Sequence, residues 1–420
     1  MTDLLARRAR LLGPNLPTFY DDPVHIVRGK GVWLWDAEGR RYLDCYNNVA
    51  HVGHCHPKVV AAICRQAAVL NTHTRYLHEG ILDYAERLTA TFGHGLSQVI
   101  MVCTGSEAND ILLRMAQAVT GKSGFIATDN TYHGNTWAVS QLSSRRPPVG
   151  GYGANIRRVP APDALAPLGG SAAAQPAAFA AGVAAAIAEL EEAGFGFAGF
   201  MFCPVFANEG LPGVSPGFLG PTAEVVRRAG GLLLADEVQP GFGRCGSHWW
   251  GHDWLGVAPD AVSLGKPMGN GHPVAAVVAR PDVMAAFRQA FGYFNTFGGN
   301  PVSCAAASAV LDVIGDEGLM ANAAAVGAHL VEGIGALRHP LIAGVRGVGL
   351  FVGVELARDG RPATAEAAAV VEAMRRRGVL IGRVGRAQHI LKLRPPMPIR
   401  REEADIAVAA LADALAGLPA

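Results

Sequence analysis

A chain of 420 residues, half of them hydrophobic and with a mean hydropathy of +0.21, can bury a large core, which excludes a disordered protein and sets the expectation of one large or two ordinary domains. Its 36 basic and 35 acidic residues leave a formal charge of +1, so no basic field is available to hold nucleic acid and no charge block marks a tail. Seven scattered cysteines without a CxxC read as reduced, buried thiols of a cytoplasmic protein; residues 1–12 lack a signal-peptide core, and the Ala-rich stretch 172–190, broken by Pro176 and Gly182, is too weakly apolar to span a membrane.

Residues 31–44 have the pattern of a β-hairpin turning near Glu38-Gly39. The loop after it carries His51, His54, Cys55 and His56. Their spacing fits no helical or CxxC-type zinc pattern, and Pro57 opens a helix directly afterwards, so loop histidines at a substrate entrance are expected and metal ligands are not. Helices are predicted over 57–70 and 80–92, with Arg75 between them as a candidate anion contact. Residues 99–103 read as a short strand that runs through Thr104-Gly-Ser106 into a helix reaching 119. Gly105 permits a tight turn, Ser106 can cap the helix, and free amides at a helix N-terminus attract phosphate; an ordinary N-cap needs no ligand. A strand at 125–128 leads to Asn130-Thr-Tyr-His-Gly134, where Tyr132 offers a flat ring. Residues 145–170, rich in Pro and Gly, are predicted as loop, 177–192 as helix, 199–204 as strand and 218–229 as helix.

Gly230 to Gln239 contains an apolar strand ending at Asp236, and residues 260–264 form another that ends in Gly265-Lys266 before a Gly/Pro-rich loop. Taken singly, Asp236 reads as a cap or ion-pair partner, and Lys266 as a strand-end lysine whose amine reaches water. In parallel α/β sheets, however, ligands bind outside the carboxyl ends of the strands. Placed together there, the pair supplies what pyridoxal phosphate needs: an amine for an imine link and a carboxylate to keep the pyridine nitrogen protonated. Gly241-Phe-Gly-Arg-Cys-Gly246 has the form GxGxxG but neither follows a strand directly nor opens a helix, so no dinucleotide site is expected. A strand at 274–279 and a helix at 302–314 follow. Beyond Ala321 come an Ala-rich helix, an alternating strand at 345–356, a helix at 364–377, short strands at 379–382 and 390–394, and a helix from Arg401. The expected division is a segment 1–50 packing with a small α+β domain 316–420, and a large domain 51–315.

Leu234-Ala-Asp-Glu-Val-Gln-Pro-Gly-Phe-Gly-Arg-Cys-Gly246, then Ser263-Leu-Gly-Lys266, with Gly105-Ser-Glu-Ala-Asn109 upstream, resembles the signature of the class III (ω-amino) pyridoxal-phosphate-dependent aminotransferases. The likeness runs from about Tyr20 to the last helix. It implies the α/β fold of the aspartate aminotransferase-like transferases, with a mostly parallel central sheet in the large domain. It implies pyridoxal 5'-phosphate linked to Lys266, Asp236 at the pyridine nitrogen, and Gly105 and Ser106 at the phosphate. Tyr132 is implied on the ring with His133 in support, Val238 beneath it and Gln239 at the phenolic oxygen. Lys266 also moves the substrate proton. Thr296 is implied to reach the cofactor phosphate of a second subunit, hence a homodimer with shared sites.

The chain departs from the family at two places. Cys203-Pro-Val-Phe-Ala-Asn208 stands where the family carries Glu-Pro-(Ile/Val)-Gln-Gly-Glu, so Phe206 points to a more apolar pocket, with Glu209 one place from the missing acid. Lys392 stands where many relatives have an arginine three residues before the Pro-Pro pair, and Arg394 directly precedes Pro395. Tyr20, Asn48, Arg75, Phe206, Asn208, Lys392 and Arg394 are the candidate substrate contacts. The resemblance implies a transaminase moving an amino group from an amine or ω-amino donor to a 2-oxo acid such as pyruvate. The alternative is a phospho-lyase acting on ethanolamine phosphate or a related phosphorylated amine, since residues 42–77 and 300–313 and Pro362-Ala-Thr-Ala-Glu366 are similar to those lyases and Lys392, Arg394 and Arg75 can bind phosphate. Phe206 and Asn208 depart from the lyase pattern too, which places transamination first.

Overall fold

In the computed structural model, which describes residues 2–143 and 147–418, seven strands form the central sheet. In spatial order they are Gln98–Val102, Ala275–Ala279, Ala261–Leu264, Leu232–Asp236, Phe197–Phe202, Gly124–Thr128 and Ile156–Val159. All run the same way except Ala275–Ala279, which is antiparallel to both neighbours. A mostly parallel sheet is buried on both faces, which is why its strands read as unbroken apolar runs. Successive side chains serve opposite layers. Leu232 and Leu234 pack with Ile111, Leu112 and Phe287 of helices Gly105–Thr120 and Pro281–Ala290. Leu233 and Ala235 pack on the other face, in the cluster that holds Phe179, Val183 and Val226 of helices Gln175–Glu192 and Gly220–Arg228. Each such fully buried leucine contributes roughly 1.5–3 kcal/mol. The expected mostly parallel α/β architecture is therefore present.

A second, antiparallel sheet orders Ile342–Val348, Phe351–Arg358, Ile390–Leu393 and Gly382–Val384. The single strand expected at 345–356 is in fact a hairpin that turns at Gly349, whose φ is +51°. A Cβ there would run into the carbonyl oxygen of Arg244. Near the N-terminus, Ile26–Lys30, Trp33–Asp36 and Arg41–Asp44 pair antiparallel, with the expected hairpin between the last two. Val379–Leu380 then adds to Arg41–Asp44 in parallel, so distant parts of the chain share one sheet. Two further bonds continue that seam, Arg394 N to Cys45 O (2.6 Å) and Met397 N to His51 O (2.7 Å).

Further elements also differ from the sequence expectation. The Pro/Gly-rich stretch predicted as loop, whose residues 145 and 146 lie outside the described ones, holds the edge strand Ile156–Val159. Helices Thr2–Leu12 and Pro281–Ala290 were not anticipated, although Pro at the first helical turn and the Val283/Phe287 spacing mark the second. Among the described residues no helix is long and apolar enough to cross a membrane.

Replacing Gly349 by alanine adds a clash to a left-handed backbone. The expected result is a loss of about 2 kcal/mol or more, read as a lower urea midpoint with an unchanged slope.

Candidate active site

Asp236 is the last residue of its strand and pairs in register with Ser263, three residues before Lys266. Both side chains open into one cleft at the carboxyl edge of the sheet, as the strand-end reading expected. The cleft has an inner compartment, which includes Gly105, Ser106, His133, Asp236 and Val238, and an outer one, which includes Tyr20, Asn48 and Arg394. Val49, Tyr132, Asn208, Gln239 and Lys266 border both, so the lysine stands at the junction. Lys266 holds a left-handed backbone, φ +27°, an uncommon and strained state for a residue with a long side chain. Burial lowers its pKa; Asp236 opposes that shift and the charge of Arg394 adds to it.

The Asp236 carboxylate is 6 % exposed and fully engaged. Its Oδ2 accepts from His133 Nδ1 (2.7 Å) and Asn109 Nδ2 (3.0 Å), and its Oδ1 from Val238 N (3.0 Å). Burial pushes the acid up, but the His133 bond and the neighbouring charges outweigh it and leave the pKa below the ordinary carboxylate value. Asn109, not singled out from the sequence, also donates to His133 O (2.6 Å). It follows Ser106 by one turn, and a buried asparagine on an otherwise apolar helix face is the signal that finds it.

The phosphate end is built differently from the expectation. Thr104, not Ser106, caps helix Gly105–Thr120, in a reciprocal box with Glu107. The T-x-x-E pattern is the sequence mark of that arrangement. The box occupies the Glu107 amide and leaves the amides of Gly105 and Ser106 at a helix N-terminus with no intrahelical acceptor. Close packing fixes the turn: a Cβ on Gly105 would lie 2.9 Å from the Val238 methyls, and one on Gly134 would lie 2.6 Å from Ser106 Oγ. These residues fit pyridoxal phosphate, with two free amides for its phosphate, a permanently ionised acid for its pyridine nitrogen and an amine of lowered basicity for its aldehyde.

The outer compartment takes residues from both chain ends. Tyr20 donates its hydroxyl to Ile381 O (3.2 Å). Arg394 is 6 % exposed, donates to Gln239 Oε1 (2.5 Å) and lies 5.0 Å from the Tyr46 ring. Its Nε and the Nδ2 of buried Asn48 have no hydrogen-bond partner among the described residues. Asn208 bridges Tyr132 O and Gln239 Nε2 (3.3 and 3.4 Å).

Several expected substrate contacts lie elsewhere. Phe206 takes a left-handed backbone (φ +48°), and its fully buried ring packs edge-on against Phe179 and Phe218, so it does not make the cleft apolar. Glu209 does not replace the missing acid, because its oxygens accept from Thr128 Oγ1 (2.6 Å) and Asn208 N (3.1 Å). Lys392 is buried behind Gln239 rather than in the cleft. Arg75 lies over the Phe294 ring at 3.9 Å and borders a separate groove. Thr296 is exposed and does not line the cleft of its own chain. The histidines expected at a substrate entrance serve structure. His51 bonds Phe242 O and Arg244, His54 pairs with Asp44, and His56 caps a helix and reaches Glu317.

With this geometry in view, the comparisons with known proteins are specific. Residues 19–415 match the class-III aminotransferase family. This chain belongs to that family. The class-III relatives include the Drosophila melanogaster alanine–glyoxylate aminotransferase 2-like protein, 41 % identical over 96 % of this chain and 85 % of that one. A solved phospholyase from Arthrobacter in complex with phosphoethanolamine superposes with a TM-score of 0.95 at 43 % identity, over 99 % of this chain and 100 % of that chain. An amine transaminase from an uncultivated Pseudomonas species, solved with pyridoxal phosphate bound, gives 0.86 at 30 % identity over 94 % and 95 %. Class-III enzymes depend on pyridoxal phosphate, and this chain is an enzyme of that class.

An amine must be neutral to form an imine with an aldehyde, and the Lys266 pKa is lowered. The uptake rate of pyridoxal phosphate by the apoprotein is therefore expected to rise with pH and level off below 10.5, the ordinary lysine value. In Asp236→Asn the plateau is expected at still lower pH, because the charge that holds the lysine protonated is gone. Phe206→Leu is expected to lower stability by on the order of 1 kcal/mol while KM for amine substrates stays unchanged. A KM change at full stability would place the ring at the substrate after all.

Proposed function

We propose that this enzyme eliminates phosphate from a small phosphorylated amine of the ethanolamine phosphate type. The observation that carries the reading is that Arg394 and Asn48 border the outer compartment together with Lys266, and that each has a buried donor, Nε and Nδ2, without a hydrogen-bond partner among the described residues. A buried donor without an acceptor costs about 1–3 kcal/mol, which an oxygen-rich anion relieves. Arg394 is held by Gln239 and Tyr46 and feels the charge of Asp44, but no carboxylate pairs with it directly among the described residues. Support also comes from the Arthrobacter phospholyase, whose structure holds phosphoethanolamine. Of the two residues that place transamination first on the sequence, the Phe206 ring lies in the core, whereas Asn208 borders the cleft.

When bound, pyridoxal phosphate supplies an electron sink for charge developing on the amine-bearing carbon. Lys266, at the junction of the compartments, removes that carbon's proton. Asp236, fixed by His133, Asn109 and Val238 N, keeps the pyridine nitrogen protonated. The Gly105 and Ser106 amides would hold the cofactor phosphate, and Tyr132 and Val238, which line the inner compartment, would contact its ring. Arg394 and Asn48 hold the leaving phosphate, which departs with the electron pair of the C–O bond. The remaining amine skeleton hydrolyses to an aldehyde and ammonium.

Transamination is the second reading, favoured by the names of the Drosophila and Pseudomonas relatives. The same Arg394 then takes the carboxylate of a 2-oxo acid. For either reaction we infer a homodimer in which exposed Thr296 completes the partner's phosphate site. Seven free cysteines, of which Cys55 and Cys64 are exposed rather than buried as expected, support a reducing compartment, the cytoplasm in the simplest case.

The loaded enzyme with ethanolamine phosphate is expected to release inorganic phosphate and acetaldehyde. With 1-phenylethylamine and pyruvate it is expected to form little alanine. Alanine without phosphate release overturns the proposal. Arg394→Met is expected to raise KM for the phosphorylated amine at least about tenfold, the worth of one hydrogen bond to a charged group.

A further inference from the structure

Strand Ile390–Leu393 carries Lys392 into the interior, where it is 2 % exposed. Its amine donates to Ala207 O (2.6 Å) and to Gln239 Oε1 (3.3 Å). Arg394, two residues on and therefore on the same side of the chain, donates to that same Oε1. No acid completes the group. Glu209 is occupied by Thr128 and the Asn208 amide, and the Cys203 thiol stays protonated because burial pushes it well up. A primary amide has an accepting end and a donating end. With two donors on its oxygen, Gln239 can turn only its NH2 toward the cleft, where Nε2 now faces Asn208 Oδ1.

We propose that Lys392 is a positioning residue: together with Arg394 it pins the Gln239 carbonyl oxygen so that the amide NH2 is presented to the phenolic oxygen of the cofactor. The pin is the same whether the enzyme eliminates phosphate or transfers an amino group, so it stands apart from the choice of reaction. It explains why a lysine suits this place. Two acceptors, Ala207 O and Gln239 Oε1, match the two hydrogens of a neutral amine. The five donors of a guanidinium would leave several unmet in the same space. Burial and the nearby Arg394 hold the Lys392 pKa well below its ordinary value, and both its charged and its neutral forms donate.

An NH2 donating to the phenolic oxygen makes that oxygen less basic, which lowers the pH at which the chromophore formed between Lys266 and the cofactor loses its proton. Absorbance titration of the loaded enzyme reads that midpoint directly. Lys392→Met frees the amide and is expected to raise the midpoint by about one unit, the scale of one hydrogen bond. Lys392→Gln keeps a neutral donor and is expected to titrate as the unaltered enzyme. The double variant Lys392→Met/Gln239→Ala is expected to match Gln239→Ala alone. The proposal is overturned if Lys392→Met titrates normally, if Lys392→Gln shifts as far as Lys392→Met, or if the double variant shows the sum of the single shifts. Should Lys392→Met fail to fold, the Lys392→Gln midpoint decides: unshifted supports the pin, and shifted shows that the buried charge acts directly.

Discussion

An ionised carboxylate survives inside a protein only when several donors share its charge. Asp236 has His133, Asn109 and Val238 N, and much of the site is arranged by those bonds. Asn109 belongs to helix Gly105–Thr120, whose first turn offers the free amides, so one side chain ties the acid to the anion cradle. Val238, whose amide serves the acid, uses its side chain to fill the space that Gly105 and Gly265 leave open. The distance between acid and cradle is thus fixed by bonds within one layer, before any cofactor binds.

The outer half of the cleft rests on a different constraint, the shortage of acids near three buried cations. Arg244 is fully buried and bonds only uncharged partners, Pro395 O at 2.7 Å and His51 Nδ1 at 3.1 Å. Burial and repulsion from Arg394 push its pKa down to about 9. It thereby fastens the loop after the N-terminal hairpin to the segment that carries Arg394. With the backbone bonds at Cys45 and His51, the two ends of the chain are sewn together beside the outer compartment. Lys392 is satisfied by backbone and amide oxygens, and Arg394 only in part. Of the three, Arg394 alone lines the cleft, so its charge is the one a ligand can meet.

What was legible in the sequence follows from what a pattern can encode. Apolar strands ending in Asp236 and Lys266 announced both the sheet and the edge at which the chemistry lies, because a parallel sheet needs unbroken apolar runs and aligns their ends. The glycine at 105 was legible as a tight turn after a strand, whereas the Val238 methyls that leave no room for a Cβ there are visible only in the fold. Side-chain direction in irregular segments was not legible. Phe206 departs from a family motif in the sequence, but a left-handed backbone turns its ring into the core. Lys392 occupies the place of a substrate-gripping arginine and yet faces inward, which depends on Ala207 O and Gln239, residues far away in the chain. Composition misled at 156–159, where an edge strand is short enough for its Pro- and Gly-rich flanks to dominate the reading.

The same proton-removing apparatus serves elimination and amino transfer, so the choice between them rests on the groups around the carbon next to the amine. Once the proton has left, a phosphate on that carbon departs readily if donors meet its developing charge, and hydrolysis then completes an elimination. Amino transfer instead requires that nothing leave and that Lys266 return the proton to the cofactor. Donors already satisfied by protein acceptors favour neither course. Arg394 Nε and Asn48 Nδ2 are buried and unmet among the described residues, and both residues border the compartment that Lys266 borders. A leaving anion gains most from groups in that condition, because the protein has already borne their desolvation and no internal bond must break to free them.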